Sequence, residues 1–150
     1  MYILEYLKKY GDKKIKLFVD MDGVIADYDV GNARDYLNKR PLFSSIKKLE
    51  EVSKLSNVNL YIFSISRKSI GIEEKNLWLD KYASFFKNRI IISREDNDYI
   101  DSSVLKAEYL KKFERDDSVL IVIDDDPLVI KKILELNPDI VMLKDTCLVD

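Results

Sequence analysis

Histidine is missing from all 150 residues. Its absence removes the commonest general base, the Ser-His pair and the His-ligated zinc site, so catalysis here has to run on carboxylates, lysines, hydroxyls or a hard metal ion. The single cysteine, Cys147, has no internal partner for a disulfide. Only 4 glycines and 3 prolines leave little material for flexible linkers. No apolar run approaches the length of a signal segment or a membrane span. Neither sign of charge dominates: 25 Lys and Arg stand against 27 Asp and Glu, for a net charge of −2. The isoelectric point near 5.3 gives no overall pull toward nucleic acid or an anionic membrane surface. These absences point to a cytoplasmic protein with small or locally recognised partners. The length suits one domain over residues 1–150, able to bury roughly 68–70% of the surface its unfolded chain exposes.

What is present is a βα alternation. Lys16 to Asp20, Val58 to Ser64, Arg89 to Ser93, Ser118 to Asp124 and Ile140 to Leu143 are short, apolar, largely β-branched runs. Their near-continuous hydrophobicity suits strands covered on both faces of a mostly parallel, five-stranded sheet. Between them, residues 44–55, 71–86, 102–113 and 126–136 carry apolar residues at helical spacing. Ser44 or Ser45, Ser102 or Ser103, and Asp126 are the expected N-caps, with Pro127 in a first turn. The opening stretch has its own helical stripe of Tyr2, Ile3, Tyr6, Leu7 and Tyr10, assigned to the outside of the core. The fold class expected is α/β, a three-layer Rossmann-like arrangement.

Right-handed crossovers bring every strand's carboxyl end to one edge, where ligands of open α/β sheets bind. The acids fall on that edge. In "KLFVDMDGVIAD" the first run ends in Asp20, with Asp22 two residues on and Gly23 after it. Side chains two apart at a strand end project to the same side, so both carboxylates can reach one site. Glycine permits a sharp turn or a close ligand approach. Of two such acids, one can act ionised as a nucleophile while the other carries a proton. Together with Asp125 they repel one another unless a cation sits among them, and an all-oxygen set suits Mg²⁺.

The order of features along the chain is D-x-D after a first strand, a hydroxyl ending a second, a lysine opening a helix, and "IDDDP" ending a later strand. It resembles the haloacid dehalogenase superfamily of phosphohydrolases across Lys16 to Pro127. Within that superfamily, "DMDGVIADYD" and the layout of "EKNLWLDKYASFFKNRIIISRED" followed by "LIVIDDDP" are similar to the 5'(3')-deoxyribonucleotidases. The resemblance implies that Asp20 forms an aspartyl-phosphate. It implies that Asp22 protonates the leaving oxygen and then deprotonates water, and that Ser64 and Lys106 contact the phosphoryl group and nucleophile. Mg²⁺ is then held by Asp20, Asp22 through its backbone carbonyl, and Asp125, with Asp124 supporting them. Tyr28 lines the substrate site. The implied substrate is a small phosphate monoester, a (deoxy)nucleoside monophosphate first. A polynucleotide 3'-end or a sugar phosphate is the alternative, the acidic isoelectric point weighing against polynucleotide.

The sequence also departs from that group. After the third strand it offers only Arg94 where a basic catalytic residue is expected, and Lys106 matches the wider superfamily instead. In "YIFSISRKS" Ser66 competes with Ser64, which is favoured as the strand's last residue, and Arg67 is a further phosphate-binding candidate. Only residues 28–40 are left for a cap, which is therefore minimal or missing, and a second subunit could close the site. A phosphoacceptor receiver domain fails on order, because its paired acids come first and its lysine last. A non-catalytic binding protein fits less well, since Asp20, Asp22, Lys106 and Asp125 are all present.

Overall fold

A computed structural model describes residues 2–29, 31, 35–95 and 100–149. In chain order the elements are α1 (Ile3–Lys8), β1 (Ile15–Val19), α2 (Phe43–Ser53), β2 (Val58–Ser66), α3 (Ser69–Tyr82), β3 (Asn88–Ser93), α4 (Ser102–Lys112), β4 (Val119–Asp124), α5 (Pro127–Leu136) and β5 (Val141–Lys144). Short 3-10 helices occupy Tyr36–Asn38 and Asp145–Leu148. The five strands form one sheet in the order β3-β2-β1-β4-β5, every neighbouring pair parallel. This is the expected α/β architecture with a Rossmann-like core.

Strand alternation divides the core into two layers. Ile15, Leu17 and Val19 of β1, with Leu60, Ile62, Ile121 and Ile123, pack under α2 and α3. Phe18, Phe63, Leu120 and Val122 point the other way, against Ala107 and Leu110 of α4 and Val129 and Ile133 of α5. Both faces are covered, which is why the runs read as continuously apolar. Each large side chain so buried contributes about 1.5–3 kcal/mol.

Three sequence expectations are corrected. α1 belongs to the core: Ile3 is fully buried and Leu7 nearly so, both in the layer with α2 and α3, while Tyr2, Tyr6 and Tyr10 flank them. An apolar stripe of that length carries no information about which surface it will meet. The N-caps of α2 and α4 are Leu42 and Asp101, neither making a side-chain cap bond. Ser44, Ser45, Ser102 and Ser103 therefore lie inside first turns. Asp126 does cap α5, accepting from Leu128 N–H at 2.9 Å, with Pro127 as the first helical residue. Finally, β2 continues to Ser66, which pairs with Ser93, so Ser64 is not the strand's last residue.

The segment after β1 positions the site. Val24, Ile25 and Ala26 all donate to Met21 O, at 3.1, 2.9 and 3.0 Å, and Gly23 N–H donates to Ala26 O at 2.8 Å. Gly23 takes φ +83°, which side chains disfavour. Ala26 then bridges to Pro41, so the excursion over 28–40 leaves and rejoins the core at one point. Residues 30 and 32–34 of it lie outside the described residues.

Candidate active site

Strand order reverses between β1 and β4, and the crevice outside their carboxyl ends is where such sheets bind ligands. Asp20 follows β1 and donates its N–H to Ile123 O at 3.0 Å, which fixes it beside the end of β4. Counting on by twos, Asp20 shares the side of Phe18, and Asp124 the side of Leu120 and Val122, the face that α4 covers. Lys106 rises from α4 between them. Its Nζ donates to Asp20 Oδ1 at 3.0 Å and to Asp124 Oδ2 at 2.7 Å. Asp124 Oδ1 accepts from Asp126 N–H at 3.0 Å, so both oxygens of Asp124 are engaged in seating its neighbours.

The other face supplies a second lysine. Lys75 of α3 is 1% exposed. Its Nζ donates to Ser64 Oγ at 2.7 Å, to Ile65 O at 2.8 Å and to Asp22 Oδ2 at 3.3 Å. A third, Lys39, is 2% exposed and places Nζ 3.0 Å from Asp22 Oδ1. That contact is an ion pair without hydrogen-bond geometry. The segment carrying Lys39 is tied to α3, because Trp78 Nε1 donates to Lys39 O at 2.9 Å.

Burial raises the Asp20 carboxyl to about 7, with Lys106 opposing the shift and Asp124 and Asp22 adding to it. Burial also lifts Asp125 to about 6, with Asp124 adding to it. For Lys106 burial works against the charge, but Asp20 and Asp124 together outweigh it and hold the amine above its ordinary value. A cluster of acids that resists full ionisation in this way is relieved by a cation. Asp20, Asp124 and Asp125 each bring one carboxylate oxygen within 4.8 Å of the others, a donor set whose chemistry fits Mg²⁺. The Asp22 carboxylate is not in that group; its oxygens face the two lysines. Gly23 belongs to the same construction, because a Cβ there would lie 2.1 Å from Asp125 Oδ2.

Asp20, Asp22, Tyr28, Ser64, Lys106, Asp124 and Asp125 all line one cavity of about 450 Å³. Tyr28 is 53% exposed at its wall, its ring 5.2 Å from Lys39 Nζ. Ser66, Arg67 and Arg94 are not among the lining residues. The Ser66 hydroxyl is fully buried, donates to Lys68 O at 2.6 Å and abuts Gly71. Arg67 is exposed, and Arg94 is half-buried with its N–H on Ser66 O. Sequence reasoning missed Lys75 and Lys39. For Lys75 a signal existed: Gly71, Lys75, Trp78, Leu79 and Tyr82 form one helical stripe, and a lysine in the middle of it cannot be solvated. Lys39 sits in no periodic element and gave none.

Fold and site together define an α/β protein with a carboxylate-lysine cluster at the topological switch point. Its fold is shared with a chain of the Pnkp1/Rnl/Hen1 RNA repair complex, at 19% identity and a TM-score of 0.68 over 89% of this chain and 43% of that one. A second structure of the Pnkp1/Rnl/Hen1 complex gives 16% identity and 0.69, over 89% and 46%. The N-terminal part of a Bacteroides fragilis protein containing a phosphatase domain, complexed with Mg, gives 14% and 0.57, over 90% and 37%. The chain thus spans less than half the length of these solved chains. No protein-family model and no curated protein matches the sequence. Among the described residues, no helix is long and apolar enough to cross a membrane.

Proposed function

We propose that this chain is a Mg²⁺-dependent phosphomonoesterase of the haloacid dehalogenase type, acting through an aspartyl-phosphate on Asp20. The observation that carries this reading is the convergence of Asp20, Asp22, Ser64, Lys106 and Asp125 on one cavity, from the turn after β1, from β2 and α4, and from the residue after β4. An Asp20 oxygen attacks phosphorus and the bond to the leaving oxygen breaks, dividing one hard displacement into two. Asp22 gives that oxygen its proton and later takes one from the water that releases phosphate. For this, an Asp22 oxygen has to leave its lysine. Lys106 restrains the nucleophile, and Ser64 donates to a phosphoryl oxygen. Asp20 and Asp125, with the Asp22 carbonyl, would hold Mg²⁺, which neutralises phosphoryl charge.

The substrate favoured is a nucleoside monophosphate, its base against the exposed face of Tyr28, with residues 28–40 as a minimal cap. A polynucleotide end is the second reading. It is supported by the fold shared with chains of an RNA repair complex and by the half-open wall at Tyr28. Mg²⁺-dependent phosphate release from an aryl phosphate is expected, and Asp20→Asn should abolish it; full activity in that variant excludes the covalent route. A panel of deoxynucleotides, sugar phosphates and 3'-phosphorylated oligonucleotides separates the substrates. Turnover confined to the oligonucleotides would move the assignment to polynucleotide ends.

A further inference from the structure

Lys106 and Lys75 reach the cluster from opposite faces of the sheet, and only Lys106 has a counterpart in the sequence resemblance. Lys75 does not line the cavity; Ser64 and Asp22, which it touches, do. Whatever it does, it does through them.

Hydrogen-bond accounting shows what that is. A lysine amine has three donors and, when charged, no acceptor. Those of Lys75 have three acceptors, Ser64 Oγ, Ile65 O and Asp22 Oδ2, and the Tyr36 ring lies 4.8 Å from Nζ on another side. At 2.7 Å the bond to Ser64 is the shortest of the three, and its direction is fixed: the amine donates, so Ser64 Oγ accepts. A serine hydroxyl has one proton. With its oxygen accepting from behind, that proton is left to point elsewhere, and Ser64 is a cavity wall. Lys75 is the group that holds this oxygen as an acceptor; without it that constraint on the hydroxyl's direction is gone.

We infer that Lys75 is a positioning residue for Ser64, its buried amine holding the hydroxyl as an acceptor so that the hydroxyl's own proton is presented to a phosphoryl oxygen. The inference rests on the phosphatase reading above. The contact to Asp22 is longer, and Lys39 approaches the other oxygen of that carboxylate, so Asp22 keeps a lysine when Lys75 is removed. Helix α3 is built for the task. Gly71, one turn before Lys75, lets the Ser66 side chain and the Tyr36 ring close over the helix, since a Cβ there would lie 2.0 Å from Ser66 Oγ and 2.7 Å from Tyr36. Trp78 anchors the Lys39 segment to the same stripe.

The test is a double-mutant cycle on Mg²⁺-dependent hydrolysis of para-nitrophenyl phosphate, with Lys75→Met, Ser64→Ala and the double variant. Each single substitution is expected to lower kcat about 100-fold, the scale of one lost transition-state donor, with KM little changed. In the Ser64→Ala background Lys75→Met should then cost less than about 3-fold, since paired groups are non-additive. Losses that multiply overturn the proposal, leaving Lys75 a structural role only. If Lys75→Met does not melt cooperatively, Lys75→Leu, which likewise leaves no donor, takes its place in the cycle. Proton–nitrogen NMR of the lysine amines in the wild type and in Ser64→Ala reads the contact without turnover. A slowly exchanging Lys75 signal that shifts in Ser64→Ala is expected; an unchanged signal overturns the proposal. Turnover that survives Asp20→Asn would sink the phosphatase reading and this role with it. Turnover abolished by Asp20→Asn, alongside multiplying losses, overturns the role of Lys75 alone.

Discussion

Replacing Lys106 by Met is the most informative stability experiment the site offers. The Lys106 side chain is 4% exposed and its amine bridges Asp20 at 3.0 Å and Asp124 at 2.7 Å. Methionine matches the bulk of the stem and removes the charge. What remains is a pair of buried carboxylates with Asp125 close by, and breaking a buried ion pair from one side costs about 3–5 kcal/mol. In a domain of this length each kcal/mol moves the melting temperature by about 2–4 °C, so a fall of roughly 6–20 °C is expected in EDTA at neutral pH. The deficit has a definite pH dependence. Asp20 already has a folded-state carboxyl raised to about 7 by burial, against about 3.9 in an unfolded chain. A carboxyl raised on folding binds more protons in the native state, so stability falls as pH rises from about 4 toward the folded value. Loss of Lys106 removes the one group that opposes this rise most. The variant should therefore lose least near about pH 4–5 and most above about pH 7. Mg²⁺ should restore part of the loss, since the cation replaces the missing positive charge. Thermal melts by far-UV circular dichroism, at both pH values and with EDTA or Mg²⁺, measure each of these effects. Equal melting temperatures at neutral pH, or a deficit that does not shrink on acidification, would refute the bridging role.

Gly23→Ala should lower the melting temperature by a few degrees, through about 1 kcal/mol of left-handed strain. It should also weaken the Mg²⁺-induced rise in melting temperature, because the new Cβ would lie 2.1 Å from Asp125 Oδ2; an undiminished rise contradicts the placement of Asp125. Ile3→Ala should cost about 2–5 kcal/mol in urea denaturation, as for any filled core position, and a cost near zero would return α1 to the periphery. Burial pushes the Cys147 thiol up to about 12, so labelling by a disulfide reagent should follow the urea transition. Prompt labelling of the native protein would show that the Asp145–Leu148 turn opens on its own.

The division between what could be read from the chain and what could not follows from where each group's partners lie. The strands were legible because each carries its evidence in a window of five or six residues: a β-branched run such as "LIVI" has to be covered on both faces wherever it sits. Asp20, Asp22, Asp124 and Asp125 were legible for a related reason, since acids ending apolar strands have no local use that explains them all. Ser64 is favoured over Ser66 as the strand's last residue, but β2 runs on to Ser66. By spacing the two share a strand face, so the sequence holds no valid ground for the choice. The fold separates them: the Ser66 hydroxyl donates to Lys68 O, away from the cavity, whereas Ser64 lines the cavity and its oxygen accepts from the Lys75 amine. Lys75 itself was hidden by the default that helical lysines are solvated. Its three acceptors come from Asp22, Ser64 and Ile65, and the nearest is 10 residues away, so no helical window contains them. The same holds for Lys39, whose carboxylate partner is Asp22 and whose carbonyl is bound by Trp78, 39 residues further on. A buried charge is fixed by groups that only the fold brings together. Its one local trace is a polar residue where the apolar stripe should continue, and in α3 that trace falls on Lys75, between Gly71 and Leu79.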